Sequence, residues 1–357
     1  MDFVLGPPVF FQNGGAKVRL ADDARKCVVF LGQQAIDNNN ALDPDRTATG
    51  FFLFSDLDGV GTWYLVTNKH VALGPAEAPF FVRFNEQGTE NSFLHKIEDA
   101  DWAFHDDKTV DLAVLEFRPP PNTDTLAFDA KHILDPPRTE AKKIGPGDIT
   151  YVVGLFKRLP GTNRCLPIVH TGHLALLNEG NERVRSFDWD NPLDKTAKKL
   201  IKAHLVQAHT LSGSSGSPVF IKRGIATFPV EETGVWPKAY GAVFLLGVWQ
   251  GSFEALPDEI LALEIGRKDD RVGVGIGNVV PAHQVREILL GKKLAKARAE
   301  AARKKLATQD ATTLDLKLHV ATLGDVNKVE TSTKPIDIEA FKRFVESLPK
   351  SRKNEES

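Results

Sequence analysis

From Cys27 to about Val280 the chain alternates short apolar runs with turn residues, and the runs are shorter than helices require. Cys27–Leu31, Phe51–Phe54, Trp63–Val66, Phe80–Phe84 and Asp111–Phe117 make a first series of predicted strands. Thr150–Gly154, Val206–Thr210, Val219–Ile221, Val243–Gln250 and Arg271–Ile276 make a second. Their Val, Ile, Phe, Tyr and Trp side chains suit a pleated, half-buried surface. Ser55-Asp56-Leu57-Asp58-Gly59 lies between two of the runs and has the chemistry of a hairpin turn. Many short strands with little helix between them predict an all-β sandwich or barrel rather than βαβ units.

Arg118-Pro119-Pro120-Pro121 closes the first series, because each proline lacks the amide a strand ladder needs. A boundary between two β units therefore falls near Arg118–Lys143. The polar stretch Asn178–Lys199 reads as a surface insertion in the second unit. Helical spacing comes late. Pro281 opens a segment that sets Val285, Ile288 and Leu289 on one face, and the Ala-, Lys- and Arg-rich stretch Lys292–Gln309 extends it. Ile338, Phe341, Phe344, Val345 and Leu348 predict one more amphipathic helix near the end.

With 357 residues, 42% hydrophobic and 26% charged, the chain has enough apolar material for a full core. Its formal net charge of -2 gives no global attraction to nucleic acid or membrane. The start lacks the basic and apolar regions of a secretory signal, and no apolar run reaches about 18 residues, so no membrane partner is expected. Cys27 and Cys165 are the only cysteines and stand far apart, which fits a reducing compartment and a cytoplasmic location. Lys292, Lys293, Lys296, Arg298, Arg303, Lys304 and Lys305, with Glu300 as the one acid among them, read as a solvated helix face. The alternative is a docking surface for an acidic partner or nucleic acid, with nucleic acid the less expected of the two.

Candidate chemistry comes from three places. Ser212-Gly213-Ser214-Ser215-Gly216-Ser217-Pro218 puts a serine in a glycine-rich turn, where small neighbours permit a tight bend and close substrate approach. Trp63-Tyr64-Leu65-Val66-Thr67-Asn68-Lys69-His70 places a histidine just past a strand, and Asp111 opens the strand Asp111–Phe117. Each feature alone has an ordinary reading as a loop, a surface histidine or a strand-start turn residue. Their order is informative: Asp111 follows His70 by 41 residues, and Ser215 follows Asp111 by 104. His–Asp–Ser is the chain order of the chymotrypsin group, whereas α/β-hydrolases run Ser–Asp–His.

Together these motifs resemble those of the trypsin-like serine peptidases, on the bacterial HtrA-like branch. The resemblance is carried by Thr49-Gly50-Phe51, Thr67-Asn68-Lys69-His70-Val71, Asp111-Leu112-Ala113-Val114 and Gly213-Ser214-Ser215-Gly216-Ser217-Pro218. Gly147-Asp148 before Tyr151–Gly154, Gly247–Gly251 and Val279-Val280-Pro281 extend it. It implies two six-stranded antiparallel β-barrels followed by a helical C-terminal extension. The domain limits are then a segment at 1–23, a peptidase domain at 24–290 and an extension at 291–357. Within the peptidase domain the barrels span about 24–118 and 143–280. The family's peptide-binding PDZ module needs about 80–100 residues, more than follow residue 290, so none is expected.

The resemblance also implies roles. Ser215 would be the nucleophile, His70 the general base and then acid, and Asp111 the group that orients and stabilises the imidazole. The backbone amides of Gly213 and Ser215 would form the oxyanion hole. No metal and no cofactor is implied, and the expected partner is a protein or peptide substrate. Ser214 stands where secreted digestive relatives carry the aspartate that pairs with a freshly cut N-terminus, so activation of that kind is not expected. His209 would lie at the base of the specificity pocket, with Val248, Trp249 and Gln250 as a wall. Residues 291–357 would suit a regulatory protein partner, with 310–357 as a small appended module.

Other readings compete. A trypsin-like fold without activity could act as a protein-binding module. An α/β-hydrolase would pair Ser215 with His283, but its elbow needs a second glycine that the turn lacks. His170 and His173 lack further metal ligands, and Asp56–Gly59 lacks the rest of a calcium loop.

Overall fold

The computed structural model describes residues 20, 23–36, 41–74, 80–98, 100–157, 159, 161–180, 182–190, 197–209, 213–223, 242–255 and 272–304. Two units divide the chain. One holds the residues up to Leu57 together with Gly61–Leu294, and the other holds Asp58–Val60 and the residues from Ala295 onward.

The first half of the larger unit contains α1 (Asp23–Lys26), β1 (Val28–Gln34), β2 (Leu42–Leu57), β3 (Val60–Thr67), α2 (Lys69–Leu73) and β4 (Phe80–Asn85). It continues with β5 (Ser92–Ile97), β6 (Ala103–Phe104), β7 (Ala113–Glu116) and β8 (Phe128–Asp129). The sheet order is β5-β4-β1-β2-β3-β7-β6, with β8 parallel to β2. Both faces are covered. Val28, Phe51, Leu53, Tyr64 and Val66 fill one core, while Val29, Leu31, Phe52, Leu65 and Val82 fill another. Because successive strand residues point to opposite faces, burial of both faces explains why these strands read as continuous apolar runs.

The expected first six-stranded barrel is, among the described residues, an eight-stranded sheet that does not close. Its terminal strand β6 has two residues and pairs with β7, too little backbone for a ladder to the other edge. The hairpin turn is tighter than 55–59. Strand β2 runs to Leu57, and Asp58 and Gly59 make the turn at φ 58° and 69°, the pair of left-handed positions a two-residue hairpin needs.

The connector after the three prolines carries η1 (Ala130–His132) and α3 (Pro136–Ala141). The second half then has β9 (Ile149–Gly154), β10 (Ile168–Leu176), β11 (Val184–Phe187), β12 (Lys198–Ile201), β13 (His204–Gln207) and β14 (Pro218–Arg223). It ends with β15 (Ala242–Ala255), β16 (Val272–Pro281) and α4 (Ala282–Leu290). Six strands close a barrel in the order β10-β13-β16-β15-β14-β9, as expected for this half. Val152, Leu174, Val206, Val219, Ile221, Leu246 and Val279 fill it. The polar insertion forms its own two-stranded sheet of β11 and β12.

Val285, Ile288 and Leu289 of α4 are buried in the core they share with Phe220 and Leu245, as their spacing predicts. Residues 292–304 are helical again. The basic run there is not simply a solvated face. Lys293 Nζ donates to Asp101 Oδ1 (2.5 Å) and to Trp102 O (2.8 Å). In the smaller unit Arg298 is 2% exposed and its Nε donates to Asp58 Oδ2 at 3.0 Å. The helix expected over Ile338–Leu348, the module at 310–357 and the segment at 1–19 lie outside the described residues.

Candidate active site

His70 sits on α2, a single turn of helix that follows β3 after Asn68. Thr67 and Asn68, just before it, are fully buried. Strand β7 pairs antiparallel with β3 so that Ala113 faces Thr67, and Asp111 stands two residues ahead of that contact. The register therefore brings Asp111 level with His70. Its carboxylate accepts from the His70 backbone N–H at 2.9 Å through Oδ1 and meets His70 Nδ1 at 2.6 Å through Oδ2. A carboxylate can only accept, so a proton on Nδ1 is what this contact requires, and in the neutral ring the lone pair then falls to Nε2. Asn68 Nδ2 donates to Asp111 O at 2.9 Å and fixes the backbone of the same residue. The His70 and Asp111 side chains are 14% and 8% exposed, so water competes little for this charge-assisted bond.

Ser215 occupies a turn that both halves of the unit hold. The Thr49 backbone N–H of β2 donates to Ser215 O at 2.9 Å, and Thr49 Oγ1 donates to Gly213 O at 2.9 Å. Thr67 Oγ1 in turn donates to Thr49 O at 2.8 Å, which links the strand before His70 to the residue of β2 that holds the serine turn. From β15 comes the pair Gly216 N–H to Trp249 O (2.9 Å) and Trp249 N–H to Ser217 O (2.8 Å). Gly216 has φ +85°, and a Cβ on it would lie 2.0 Å from Thr49 O and 2.4 Å from Thr67 Oγ1. Only glycine satisfies both the dihedral and the space.

Ser215 Oγ donates to Gln250 O at 3.2 Å. Gln250 is the extra residue of a β-bulge, since Trp249 pairs with Val279 and Gly251 pairs with the next residue back, Asn278. The bulge takes the Gln250 carbonyl out of the ladder and leaves it available to the serine. It also reverses the alternation of β15. Val248 is fully buried in the core with Phe220, and Trp249 is 1% exposed inside the barrel. Of the three expected wall residues, Gln250 lines the cavity beside His70, while Val248 and Trp249 are buried in the two cores.

That cavity, of about 800 Å³, also borders Asp111, Leu73, Phe187 and Trp189. The Trp189 ring lies on His70, with centroids 4.0 Å apart and planes at 8°, and Phe187 meets Trp189 edge-on at 4.8 Å. Asp190 accepts from Lys199 Nζ and from Lys69 Nζ, the latter at 3.3 Å. The Lys199 hydrogen bond leads the causes that hold the Asp190 carboxyl below its ordinary range, with burial opposing it.

His209 follows β13 and is exposed, with its imidazole over Gly275 of β16. A Cβ on Gly275 would come within 2.7 Å of His209 Cε1, so a side chain there would displace the ring. Ser214 is buried. Cys27 and Cys165 are buried free thiols whose pKa values burial pushes up to about 12, which keeps them protonated and unreactive. His170 and His173, three apart on β10, point to opposite faces of the strand.

Four contributors were not singled out from the sequence. Asn68 and Thr49 lay inside quoted motifs, but nothing in their spacing marked them as supports. Thr67 opens the same quoted motif as Asn68 and is likewise unmarked as a support. Trp189 carried the clearest signal, an aromatic pair with Phe187 inside an otherwise polar insertion.

Residues 48–225 match the family model described as the trypsin-like peptidase domain, a span that contains His70, Asp111 and the Ser215 turn. No curated protein matches the chain. Among solved structures, the active form of the Rv3671c protease from M. tuberculosis is similar at 18% identity, covering 75% of this chain and 81% of that one, with a TM-score of 0.38. The inactive form of the Rv3671c protease is similar at 18% identity, covering 75% of this chain and 89% of that one, with a TM-score of 0.35.

Proposed function

We propose that this chain, which belongs to the trypsin-like peptidases and is a serine-type peptidase, cleaves peptide bonds through a His70–Asp111–Ser215 triad. The observation that supports this reading is the Asp111–His70 pair at 2.6 Å, with the turn that presents Ser215 tied through Thr49 to Thr67, three residues before His70.

Ser215 Oγ leaves its bond to Gln250 O, gives its proton to His70 Nε2 and attacks the carbonyl carbon of the scissile bond. Asp111 holds the imidazole in this tautomer and stabilises the imidazolium that forms. The backbone N–H groups of Gly213 and Ser215 receive the developing oxyanion, each donor being worth roughly 3–4 kcal/mol in such sites. The C–N bond then breaks as His70 passes its proton to the departing amine, leaving an acyl ester on Ser215. Water attacks that ester, His70 takes the proton of the water, and Ser215 is released with its hydrogen restored. Every step is made by groups of the chain and water, without a metal or cofactor. His209 over Gly275 is the residue we assign to recognition of the side chain at the cleaved bond.

The test is a peptide-library cleavage profile of the wild type beside Ser215→Ala. Cleavage by the wild type and none by the variant supports the reading, and equal cleavage by both overturns it. The reading includes a reducing, cytoplasmic setting, supported by two buried free thiols that the fold does not join. It also includes a protein partner for residues 291–357. Unchanged activity, solubility and assembly in a chain ending at residue 309 would remove the 310–357 part of that partner site.

A further inference from the structure

We propose that Trp189 is a specificity-determining residue: by covering one face of His70 it restricts cleavage to bonds flanked by a small residue. The inference rests on the peptidase reading above. At 4.0 Å between centroids and 8° between planes, the indole and imidazole are in full van der Waals contact, and no substrate atom fits between them.

The cover is built into the fold. Strand β11, which leads to Trp189, is tied to the barrel by a buried hydrogen bond from Asn278 Nδ2 of β16 to Ser186 Oγ at 2.8 Å. The edge of Phe187 supports the indole at 4.8 Å, and Asp190 is held by Lys69, the neighbour of His70, and by Lys199. The other end of the indole reaches the serine side of the site, where a Cβ on Gly251 would stand 3.8 Å from Trp189 Cζ2. Gly251 directly follows Gln250, whose carbonyl holds Ser215 Oγ. Trp189 thus reaches from the face of His70 to Gly251, the neighbour of Gln250.

A peptide whose carbonyl reaches Ser215 must also bring its bond within hydrogen-bond reach of His70 Nε2. The α-carbons on either side of that bond are only about 3.8 Å apart, so a flanking side chain arrives at the imidazole together with the reacting atoms. On the face that Trp189 fills, Gly, Ala or Ser passes, whereas Leu or Phe collides with an indole that is supported from behind.

The experiment measures kcat/KM for matched peptides that differ only in the two residues flanking the cleaved bond, Gly or Ala against Leu or Phe. Wild type, Trp189→Ala and Trp189→Phe are compared, with labelling of Ser215 by a fluorophosphonate as the check that each is folded. The wild type is expected to favour the small residue by about tenfold or more, in line with what a pocket gains from one or two methylenes. Trp189→Ala is expected to lose that preference by gaining on the bulky peptides, with Trp189→Phe between the two. If Trp189→Ala does not fold, a partial loss of preference in Trp189→Phe carries the same conclusion, and none overturns it. An unchanged preference in Trp189→Ala overturns the proposal, as does an equal rise for every peptide, which would make the indole a plain cap. Cleavage with unaltered selectivity defeats this inference alone, while failure of the wild type to cleave any peptide defeats the peptidase reading as well.

Discussion

The two halves of the peptidase unit hold the residues of the proposed triad in different ways. In the first, His70 is fixed by its own partner: Asp111 takes both its backbone N–H and its ring N–H, and Asn68 secures Asp111 in turn. In the second, Ser215 is fixed through its backbone, by Thr49 on one side and Trp249 on the other, while its hydroxyl rests at 3.2 Å on the bulged Gln250 carbonyl. The proposed base is thus held as a side chain and the proposed nucleophile as a turn. A base must keep one tautomer throughout the reaction, whereas a nucleophile must rotate between a resting partner, the base and the substrate. Rigidity is placed where the chemistry needs a constant orientation, and freedom of one torsion is left where it needs movement.

The largest effect should come from breaking the side-chain hold on the base. Asp111→Asn keeps the shape but can donate to Nδ1, which favours the tautomer with its proton on Nε2. We expect kcat at neutral pH to fall about 10⁴-fold, with folding retained. Steady-state kinetics beside a urea melt checks this, and a loss under tenfold would contradict the assigned tautomer.

Breaking the backbone hold on the nucleophile should appear first as lost stability. Gly216→Ala forces a side chain into a left-handed position with Thr49 O at 2.0 Å. The expected cost is about 3 kcal/mol or more, read from urea unfolding. A cost under about 1 kcal/mol would mean that the turn is not held as described.

The second half also buries a histidine outside the proposed triad, which separates stability from catalysis. Desolvation lowers the pKa of His204 from 6.5 to about 3, with smaller contributions from His283 and Lys202, and its Nδ1 accepts the Asn178 backbone N–H at 3.0 Å. The unfolded chain protonates this residue below pH 6.5 and the folded chain does not until about pH 3. Stability therefore falls as pH drops through that window, by about 1.4 kcal/mol per unit, or about 2 kcal/mol from pH 7 to pH 5. His204→Asn keeps an acceptor near the Nδ1 position and should flatten this dependence. An unchanged slope in parallel urea melts would exclude His204 as its source.

The smallest effect sharpens the link between the halves. Thr49→Val keeps the branched shape but removes the hydroxyl that donates to Gly213 O and accepts from the Leu155 N–H at 3.0 Å. We expect about 1–2 kcal/mol of lost stability and a fall in kcat with little change in KM. A change confined to KM would contradict a role in holding the serine turn.

The candidate triad was legible because its residues lie in short motifs whose chain order is itself informative. Strands buried on both faces, such as β1 and β3, were legible for the same reason, as unbroken apolar runs. Strand β10 was not. Its Ile168-Val169-His170-Thr171-Gly172-His173 start is mostly half-buried or exposed, so no apolar stripe marks it. The front of β2 was missed because Asp43-Pro44-Asp45-Arg46 reads as a turn, although the backbone there is extended. The expectation that Val248, Trp249 and Gln250 form a pocket wall came from the family resemblance, not from the local pattern. A bulge depends on which partner residues meet in the sheet, so no local pattern around Gln250 discloses it. Trp189 is the same kind of case, since a tryptophan in a polar insertion shows that something is covered but not what.

Labelling with a fluorophosphonate probe tests the central claim most directly, because it reads the reactivity of Ser215 itself rather than the choice of substrate. The wild type should become covalently labelled at Ser215, and the label should be absent in Ser215→Ala. Folded wild type that takes no label, or a Ser215→Ala variant that labels as fast as the wild type, would contradict it.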